Sequence, residues 1–169
     1  MAGHDIKSNL SEAFQALGYC PQHDALWRNI TVREHMETYA AIRGVEAQHI
    51  GRVVDLFLRG LQIERHADKY AKNCSGGTRR KLSYALSMLG RPAIVLMDEP
   101  STGMDPQSKR FLWNTISASF RGRRGAILTT HSMEEADALC SRIGIMVKGS
   151  STTSNLIEIS SFIVRTSSK

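Results

Sequence analysis

The spacing of apolar and polar positions changes along the chain, and those changes divide it into segments. Ala93 to Met97 is an unbroken apolar run that ends in two adjacent carboxylates, Asp98 and Glu99, followed by Pro100. A short uninterrupted run of this kind predicts a strand buried on both faces, as in a parallel sheet covered by helices. Pro100 has no N–H for the ladder, so the strand is expected to stop there and deliver both carboxylates to its C-terminal end. Ala126 to Thr130, with His131 at its end, and Ile143 to Val147 predict two more strands. Leu17 to Cys20 predicts a shorter one, broken by Pro21, with Gln22 just beyond it.

Elsewhere the period is helical. Thr31 and Glu34 have the spacing of a capping box, Val32, Met36, Tyr39 and Ala40 follow as an apolar face, and Gly44 supplies a stop. Ala47 to Leu58 predicts a second helix, with Ile50, Val53, Val54, Phe57 and Leu58 on one side. Leu82, Ala85, Leu86 and Leu89 mark a third. The span from about 31 to 90 offers no convincing strand and reads as a helical insertion. Asp105-Pro106 starts another helix, with Asp as N-cap and Pro at the first position, and Phe111, Leu112, Thr115, Ile116 and Phe120 give its packing face. Ser132 and Glu135 are expected to cap a last helix. Strand, helix, strand, helix, strand in that order predicts an α/β fold with right-handed crossovers and a parallel sheet.

Composition refines this picture only in places. An apolar content of 41% and a charged content of 22% belong to a globular protein with a real core. No apolar run approaches the length of a membrane span, so a membrane role would come through a partner. The net charge of +6 admits nucleic acid or an anionic surface as a partner. Only Arg79-Arg80-Lys81 and Arg121 to Arg124 cluster, however, and neither is interleaved with aromatics; both are expected to be solvated helix faces. Three widely spaced cysteines, Cys20, Cys74 and Cys140, predict reduced thiols in the cytosol. From Ser150 to Lys169 the chain is rich in Ser and Thr with no sustained apolar face, which predicts a mobile, divergent tail.

The candidate chemistry gathers at one sheet edge and one helix start. In open α/β sheets ligands sit outside the C-terminal ends of the strands. There Asp98 could hold a hydrated Mg²⁺ and Glu99 could polarise an attacking water; the plain alternative is a strand end with solvated acids. His131 shares that edge, and Gln22 is a metal or water ligand or an ordinary loop residue. The second stretch is Ser75-Gly76-Gly77-Thr78, just before the third helix. Free N–H groups and a Ser hydroxyl at a helix N-terminus form an anion site, with phosphate as the usual guest; a flexible turn is the alternative.

Taken together, Gln22, Ser75-Gly76-Gly77, Ile94 to Glu99, Ser101 to Asp105 and His131 resemble, in order, the Q-loop, signature, Walker B, D-loop and H-loop of the nucleotide-binding domain of ABC transporters. Thr102 to Pro106, Arg110 to Asn114 and His131 to Glu135 are similar to the A subfamily, whose members are transporters that move lipids and carry two such domains; the wording is closer to the second. The resemblance implies a P-loop NTPase-like parallel sheet flanked by helices with an inserted helical subdomain, over residues 1–149, and a divergent tail over 150–169. It implies ATP and Mg²⁺ as cofactors. Asp98 would serve the metal through water, Gln22 would sense metal and water, Glu99 would act as general base, and His131 would contact the γ-phosphate. Ser75, Gly76, Gly77 and Thr78, with Asp105, would close on ATP held by a second domain.

The implied partners are that second domain and the transmembrane domains of a transporter, with lipid met only indirectly and nucleic acid not expected. The implied place is the cytoplasmic side of a membrane, with the isolated chain cytosolic. Two departures are mild: Thr78 replaces the usual Gln of the signature, and Cys74 replaces a larger apolar residue. A third is large: the chain contains no G-x-x-x-x-G-K-[ST], the loop that cradles the β- and γ-phosphates, so the N-terminal part of the domain is read as absent and the chain alone as inactive. The competing readings are a truncated, non-catalytic module that pairs with complete domains, and a soluble ABC ATPase acting on ribosomes or nucleic acid.

Overall fold

The computed structural model describes residues 10–120, 124–147, 150–151 and 161–166. In chain order the elements are α1 (Leu10–Gln15), β1 (Leu17–Cys20), α2 (Val32–Ile42), α3 (Ala47–Gly60), α4 (Gly76–Met88), β2 (Ile94–Asp98), α5 (Pro106–Ser119), β3 (Gly125–Thr130), α6 (Met133–Leu139), β4 (Ile143–Val147), β5 (Ser150–Ser151) and β6 (Ser161–Thr166). Two 3₁₀ turns, Glu64–His66 and Ala71–Asn73, lie between α3 and α4. The strands form one sheet in the order β1-β2-β3-β6-β4-β5.

The three strands β1, β2 and β3 pair in parallel, with Gly18 opposite Val95 and Val95 opposite Ala126, and with Cys20 opposite Met97 and Met97 opposite Leu128. Those six positions form the buried face. The expectation that the Ala93 to Met97 run is buried on both faces holds on one only. Ile94 and Leu96 are half-buried, and Tyr19 beside them on β1 is exposed, so the sheet has a dry face and a partly wet one.

The dry face packs on α4, and Gly18 sets how closely. A Cβ built at Gly18 would lie 2.1 Å from the backbone carbonyl oxygen of Ser87. Strand and helix backbones therefore touch where a side chain would normally separate them. Arg43, just after α2, ties the same corner. Its guanidinium donates to the carbonyls of Leu17 at 2.8 Å, Gln15 at 3.2 Å and Phe14 at 3.3 Å, and its Nε to Leu89 at 3.3 Å. One side chain thus satisfies carbonyls left open at the ends of α1 and α4.

The helical insertion forms as its sequence requires. The Thr31 hydroxyl accepts from the Glu34 N–H at 3.1 Å, and the Glu34 carboxylate accepts from the Thr31 N–H at 2.6 Å, completing the capping box. Gly44 closes α2 in the left-handed region at φ 78°. Val32, Met36 and Ala40 of α2 meet Val54 and Leu58 of α3 and Leu82 and Ala85 of α4 in the core. At α6 only half of the expected reciprocal cap forms. Ser132 accepts from the Glu135 N–H, whereas the buried Glu135 carboxylate turns away and accepts from the Trp113 indole N–H at 2.9 Å.

One expectation about the C-terminal part differs from the structure. β4 was read as the next parallel strand, yet β6 lies between it and β3, antiparallel to both. β4 therefore keeps the direction of β3 without pairing to it. Within the tail from Ser150, expected to be mobile, Ser150–Ser151 pairs with β4, and Ser161–Thr166 pairs with β3 on one edge and β4 on the other. The physical reason is that ladder bonds come from the backbone: a segment need not carry an apolar stripe when two strand edges are available to it. The remainder of that tail lies outside the described residues.

The Gly18 contact gives a test. Gly18→Ala inserts a methyl group against backbone that cannot rotate away, and overpacking of this kind costs about 1–3 kcal/mol. The urea midpoint of the chain should fall accordingly, with an unchanged slope. An unchanged midpoint would mean that α4 is not seated on β1 as described.

Candidate functional site

β2 ends at Asp98, as expected from Pro100, and the next residue turns sharply. Glu99 has φ 44°, in the left-handed region that a non-glycine residue enters only when its surroundings hold it there. The hold is visible. The Glu99 N–H donates to the Thr129 carbonyl at 3.0 Å, and its own carbonyl accepts from Arg80 at 2.7 Å. The turn swings the Glu99 carboxylate towards the end of β3. There Oε1 lies 2.9 Å from the Nδ1 of His131, and Oε2 accepts from the Thr102 hydroxyl at 2.8 Å. The Gln22 side chain also hydrogen-bonds to this carboxylate. Burial pushes the Glu99 carboxyl up, but the bonds from His131, Thr102 and Gln22 and the charge of His131 outweigh it and hold it below the usual range. Asp98 points across the sheet, with Oδ1 accepting from the hydroxyl of Thr129, its register partner on β3. Asp98, Glu99, His131 and Gln22 are thus brought to one edge. The His131 ring remains mostly in solvent.

A second site lies at the start of α4. Ser75 is the N-cap: its hydroxyl accepts from the Thr78 N–H at 3.2 Å and lies 2.9 Å from the Thr78 hydroxyl. Thr78 is buried and so completes the cap that Ser75 begins. Asp105 caps α5, with Oδ1 accepting from the Ser108 N–H at 2.9 Å; the Ser108 hydroxyl first, and then that N–H, hold its carboxyl below the usual range. Ser75, Gly76, Gly77, Thr78 and Asp105 line one cleft of about 380 Å³. None of Asp98, Glu99, His131 and Gln22 lines it. The nine residues singled out in the sequence therefore form two groups, five around the cleft and four at the sheet edge.

Arg80 joins the two groups, and sequence reasoning missed it. It was read as part of a solvated basic cluster, yet it is 3% exposed. Its Nε donates to the Pro100 carbonyl at 2.6 Å, and Nη2 donates to the Asp98 carbonyl at 2.9 Å and the Glu99 carbonyl at 2.7 Å. Nη1 donates to the carbonyls of Pro21 and Gln22 and lies 3.5 Å from the Asp24 carboxylate. Asp24 in turn accepts from the Ser83 hydroxyl at 3.0 Å. Arg124, read likewise as solvated, is half-buried and donates to the carbonyl of Pro92 at 3.0 Å.

Comparison with known proteins gives a consistent result. The ABC transporter family model matches residues 1–102. Over 149 residues the chain is 50% identical to the retinal-specific phospholipid-transporting ATPase ABCA4 of Bos taurus, an alignment covering 88% of this chain and 6% of that protein. It is 47% identical over 149 residues to the phospholipid-transporting ATPase ABCA3 of Homo sapiens, covering 88% of this chain and 9% of that protein. The chain therefore spans less than a tenth of the length of these curated relatives. A solved structure described as an ATP binding subunit of an ABC transporter superposes with a TM-score of 0.72 at 23% identity, over 83% of this chain and 58% of that one, a likeness of fold.

Two outcomes follow from the geometry. Arg80→Met takes the guanidinium from five carbonyls, of which that of Glu99 keeps the Thr102 N–H, and removes the closest cation from Asp24; breaking a buried charge network costs about 3–5 kcal/mol. Chemical denaturation should show that loss, and Arg80→Lys should recover only part of it, because one ammonium cannot replace a planar fork. His131→Ala should move the Glu99 carboxyl titration to higher pH, read by ¹³C NMR of the side chain. The sign follows from linkage: a carboxyl held low in the folded state contributes stability above its unfolded pKa and loses it as pH falls through the folded value. The variant should therefore lose that contribution at a higher pH than the parent chain; a titration that stays in place would show that the ring does not hold the carboxylate.

Proposed function

The chain belongs to the ABC transporter family, and from that premise we propose that it is the ATP-handling part of a lipid-moving transporter of the A subfamily, acting in a composite site with a second domain of its kind. The observation that carries this reading is the division of the nine residues into two groups. A helix N-terminus lined by Ser75, Gly76 and Gly77 sits in a cleft apart from Asp98 and Glu99, where it serves a nucleotide presented from outside the chain. The names of the relatives, both phospholipid-transporting ATPases, support the lipid part.

In this reading the sheet edge does the work of hydrolysis. Glu99 is ionised at neutral pH and acts as general base, but both of its oxygens are engaged in the structure. His131 reaches Glu99 from an exposed position, so it is free to turn to a γ-phosphate and release Oε1 for a water. Thr102 and Gln22 keep the carboxylate oriented while that happens. Asp98 and Gln22 suit Mg²⁺: the donors are hard oxygens, as that ion prefers. Among the described residues no group of three or more His, Cys, Asp or Glu could hold a metal, so a cation here would take its remaining ligands from phosphate and water. When bound, the ion would neutralise charge on the β- and γ-oxygens.

Among the described residues no helix is long and apolar enough to cross a membrane, and in this reading the link to lipid runs through the transporter's transmembrane domains on the cytoplasmic side. The nucleic-acid reading gains no support from the basic residues, since Arg43, Arg80 and Arg124 point their guanidinium groups at backbone carbonyls.

The test uses the chain with a complete nucleotide-binding domain made hydrolysis-deficient. The sequence has no G-x-x-x-x-G-K-[ST], so the chain alone is expected to bind ATP weakly. The mixture should form a complex with ATP and none without it. A charge-assisted contact at the α4 N-terminus contributes roughly 1–2 kcal/mol, so Ser75→Arg, which removes it and fills the cleft, should abolish the complex. Association that ignores ATP, or survives Ser75→Arg, rules out the composite site.

A further inference from the structure

His35 lies on α2 at 0% exposure, and both nitrogens of its ring are engaged. Nδ1 lies 2.7 Å from the carbonyl oxygen of Thr31, the N-cap of its own helix. Nε2 accepts from the backbone N–H of Trp27 at 3.0 Å. The two contacts fix the same tautomer: a carbonyl only accepts, so Nδ1 carries the proton, and a nitrogen that accepts from N–H carries none. The ring is therefore neutral by geometry. The Trp27 indole is stacked on it at 5.8 Å with the planes 25° apart, and Tyr39 lies against that indole at 5.6 Å.

Trp27 belongs to the loop between β1 and α2, which is held at both ends. At the β1 end Arg80 donates to the carbonyls of Pro21 and Gln22, and the Ser83 hydroxyl donates to Asp24. At the α2 end the backbone N–H groups of Lys72 and Ala71 donate to the carbonyls of Arg28 and Ile30, and Lys72 Nζ donates to Asn29. Over Ala25 to Trp27 the bond to His35 is the only hydrogen bond among the described residues. A second proton on the ring would sit on Nε2 and set N–H against N–H, turning that bond into a repulsive contact.

Little in the surroundings favours that proton. Among the described residues Glu34 is the only charged side chain acting on the ring; it lies on the same helix, and its carboxylate accepts from the Thr31 N–H at 2.6 Å. α3 packs on α2 with Arg33 and Asp55 paired to each other at 2.9 Å. On α4, Arg79 and Arg80 are directed to Asp24. The indole face favours a cation weakly. Burial acts the other way and prevails, holding the ring below the ordinary histidine range.

We propose that His35 is a latch worked by pH: neutral, it holds Trp27 and closes the middle of the loop against α2; protonated, it releases Ala25 to Trp27 while both ends of the loop stay seated. Leu26, on the released segment, lines a cleft of about 280 Å³ together with Asp24, Arg28, Ala71, Lys72 and Arg79. Release removes one wall of that cleft, so its shape follows the charge of a ring that does not line it. The latch needs neither nucleotide nor a second domain and stands apart from the composite-site reading. By linkage, a ring held neutral in the folded chain contributes stability that is complete above the unfolded value of about 6.5 and is lost as pH falls below it.

The test uses the full chain, labelled with ¹⁵N, from about pH 8 to about pH 5. At the upper end the His35 ring should show a proton on Nδ1 and none on Nε2. Below about pH 6.5 it should take up one proton, and the Leu26 and Trp27 amide signals should move with the same midpoint while the Ala71 and Lys72 amides stay. In His35→Gln an amide oxygen can accept from Trp27 at every pH, so Trp27 should no longer titrate although five of the six histidines remain. Relative to that variant, the folding constant of the parent should fall by at most about tenfold per pH unit, the limit for one proton. A ring that gains its proton without moving the Trp27 amide, or that stays neutral down to about pH 5, refutes the latch. So does a chain that unfolds as a whole in step with the ring, or a Trp27 amide that titrates unchanged in His35→Gln. If His35→Gln does not fold, the ring and amide signals of the parent decide alone.

Discussion

The buried guanidinium of Arg80 is the constraint on which both halves of the candidate site depend. A charge at 3% exposure is tolerable only if every donor finds an acceptor and a counter-charge is close. Arg80 meets both conditions by drawing in two chain segments far apart in sequence, Pro21–Gln22 on one side and Asp98–Pro100 on the other, with Asp24 as counter-ion. The left-handed turn at Glu99 becomes affordable within that frame: its N–H is fixed by Thr129 and its carbonyl by Arg80, so the strain has nowhere to relax. Arg80 belongs to the second turn of α4, whose first turn forms the cleft. Any displacement of the cleft is therefore transmitted to the carbonyls flanking Gln22 and Glu99 through one rigid group.

Arginine does similar work at two other joints. Arg43 closes the carbonyl ends of α1 and α4, and Arg124 donates to Pro92 ahead of β2 and to Ser119 at the end of α5. The choice of residue has a physical basis: a planar fork of five N–H groups can satisfy several diverging carbonyls, which an ammonium cannot. It also bears on the meaning of the net charge of +6. Part of that excess is built into the fold as helix-end and loop-end donors, where it has backbone oxygen as its partner, so net charge alone overstates what the surface can offer an anionic polymer.

Much of the fold was legible because local rules and the tertiary structure agree. The Thr31–Glu34 box forms both of its bonds, Asp105 and Pro106 start α5, and the carboxylates stand at the end of β2 because Pro100 cannot extend it. The candidate site residues could be read for the same reason: they stand at strand ends and helix caps, where single residue types have strong preferences. Arg80 was not legible. In sequence it sits between Arg79 and Lys81 on a helix whose apolar face begins at Leu82, and a polar stripe of Arg80, Ser83 and Ser87 looks like solvent exposure. All three are buried. The signal that could have revealed them is size: small hydroxyl residues on the helix and a glycine at Gly18 suggest two backbones in contact, which buries whatever else lies on that face. The pairing of β6 was illegible for a different reason, since edge bonding uses the backbone and leaves little trace in side-chain periodicity.

The sheet itself explains how an irregular C-terminal half coexists with an ordered site. Every site contact made by a strand lies within the parallel group β1, β2 and β3. Asp98 faces Thr129 across β2 and β3 and takes its hydroxyl bond there, and Glu99 reaches over the end of the same pair. The register of these three strands is pinned on the dry face by Gly18, Val95 and Ala126 and by Cys20, Met97 and Leu128. A slip of one residue would turn those side chains to the partly wet face and lift β1 from α4. Beyond β3 no candidate site residue is present. Whether β3's far edge takes a parallel or an antiparallel neighbour changes the slant of its outer ladder bonds, not the positions of Asp98, Glu99 and Thr129. Sheet order can thus depart from parallel at β6 without moving a catalytic candidate, because the constraints that place those groups close on themselves within three strands and one helix.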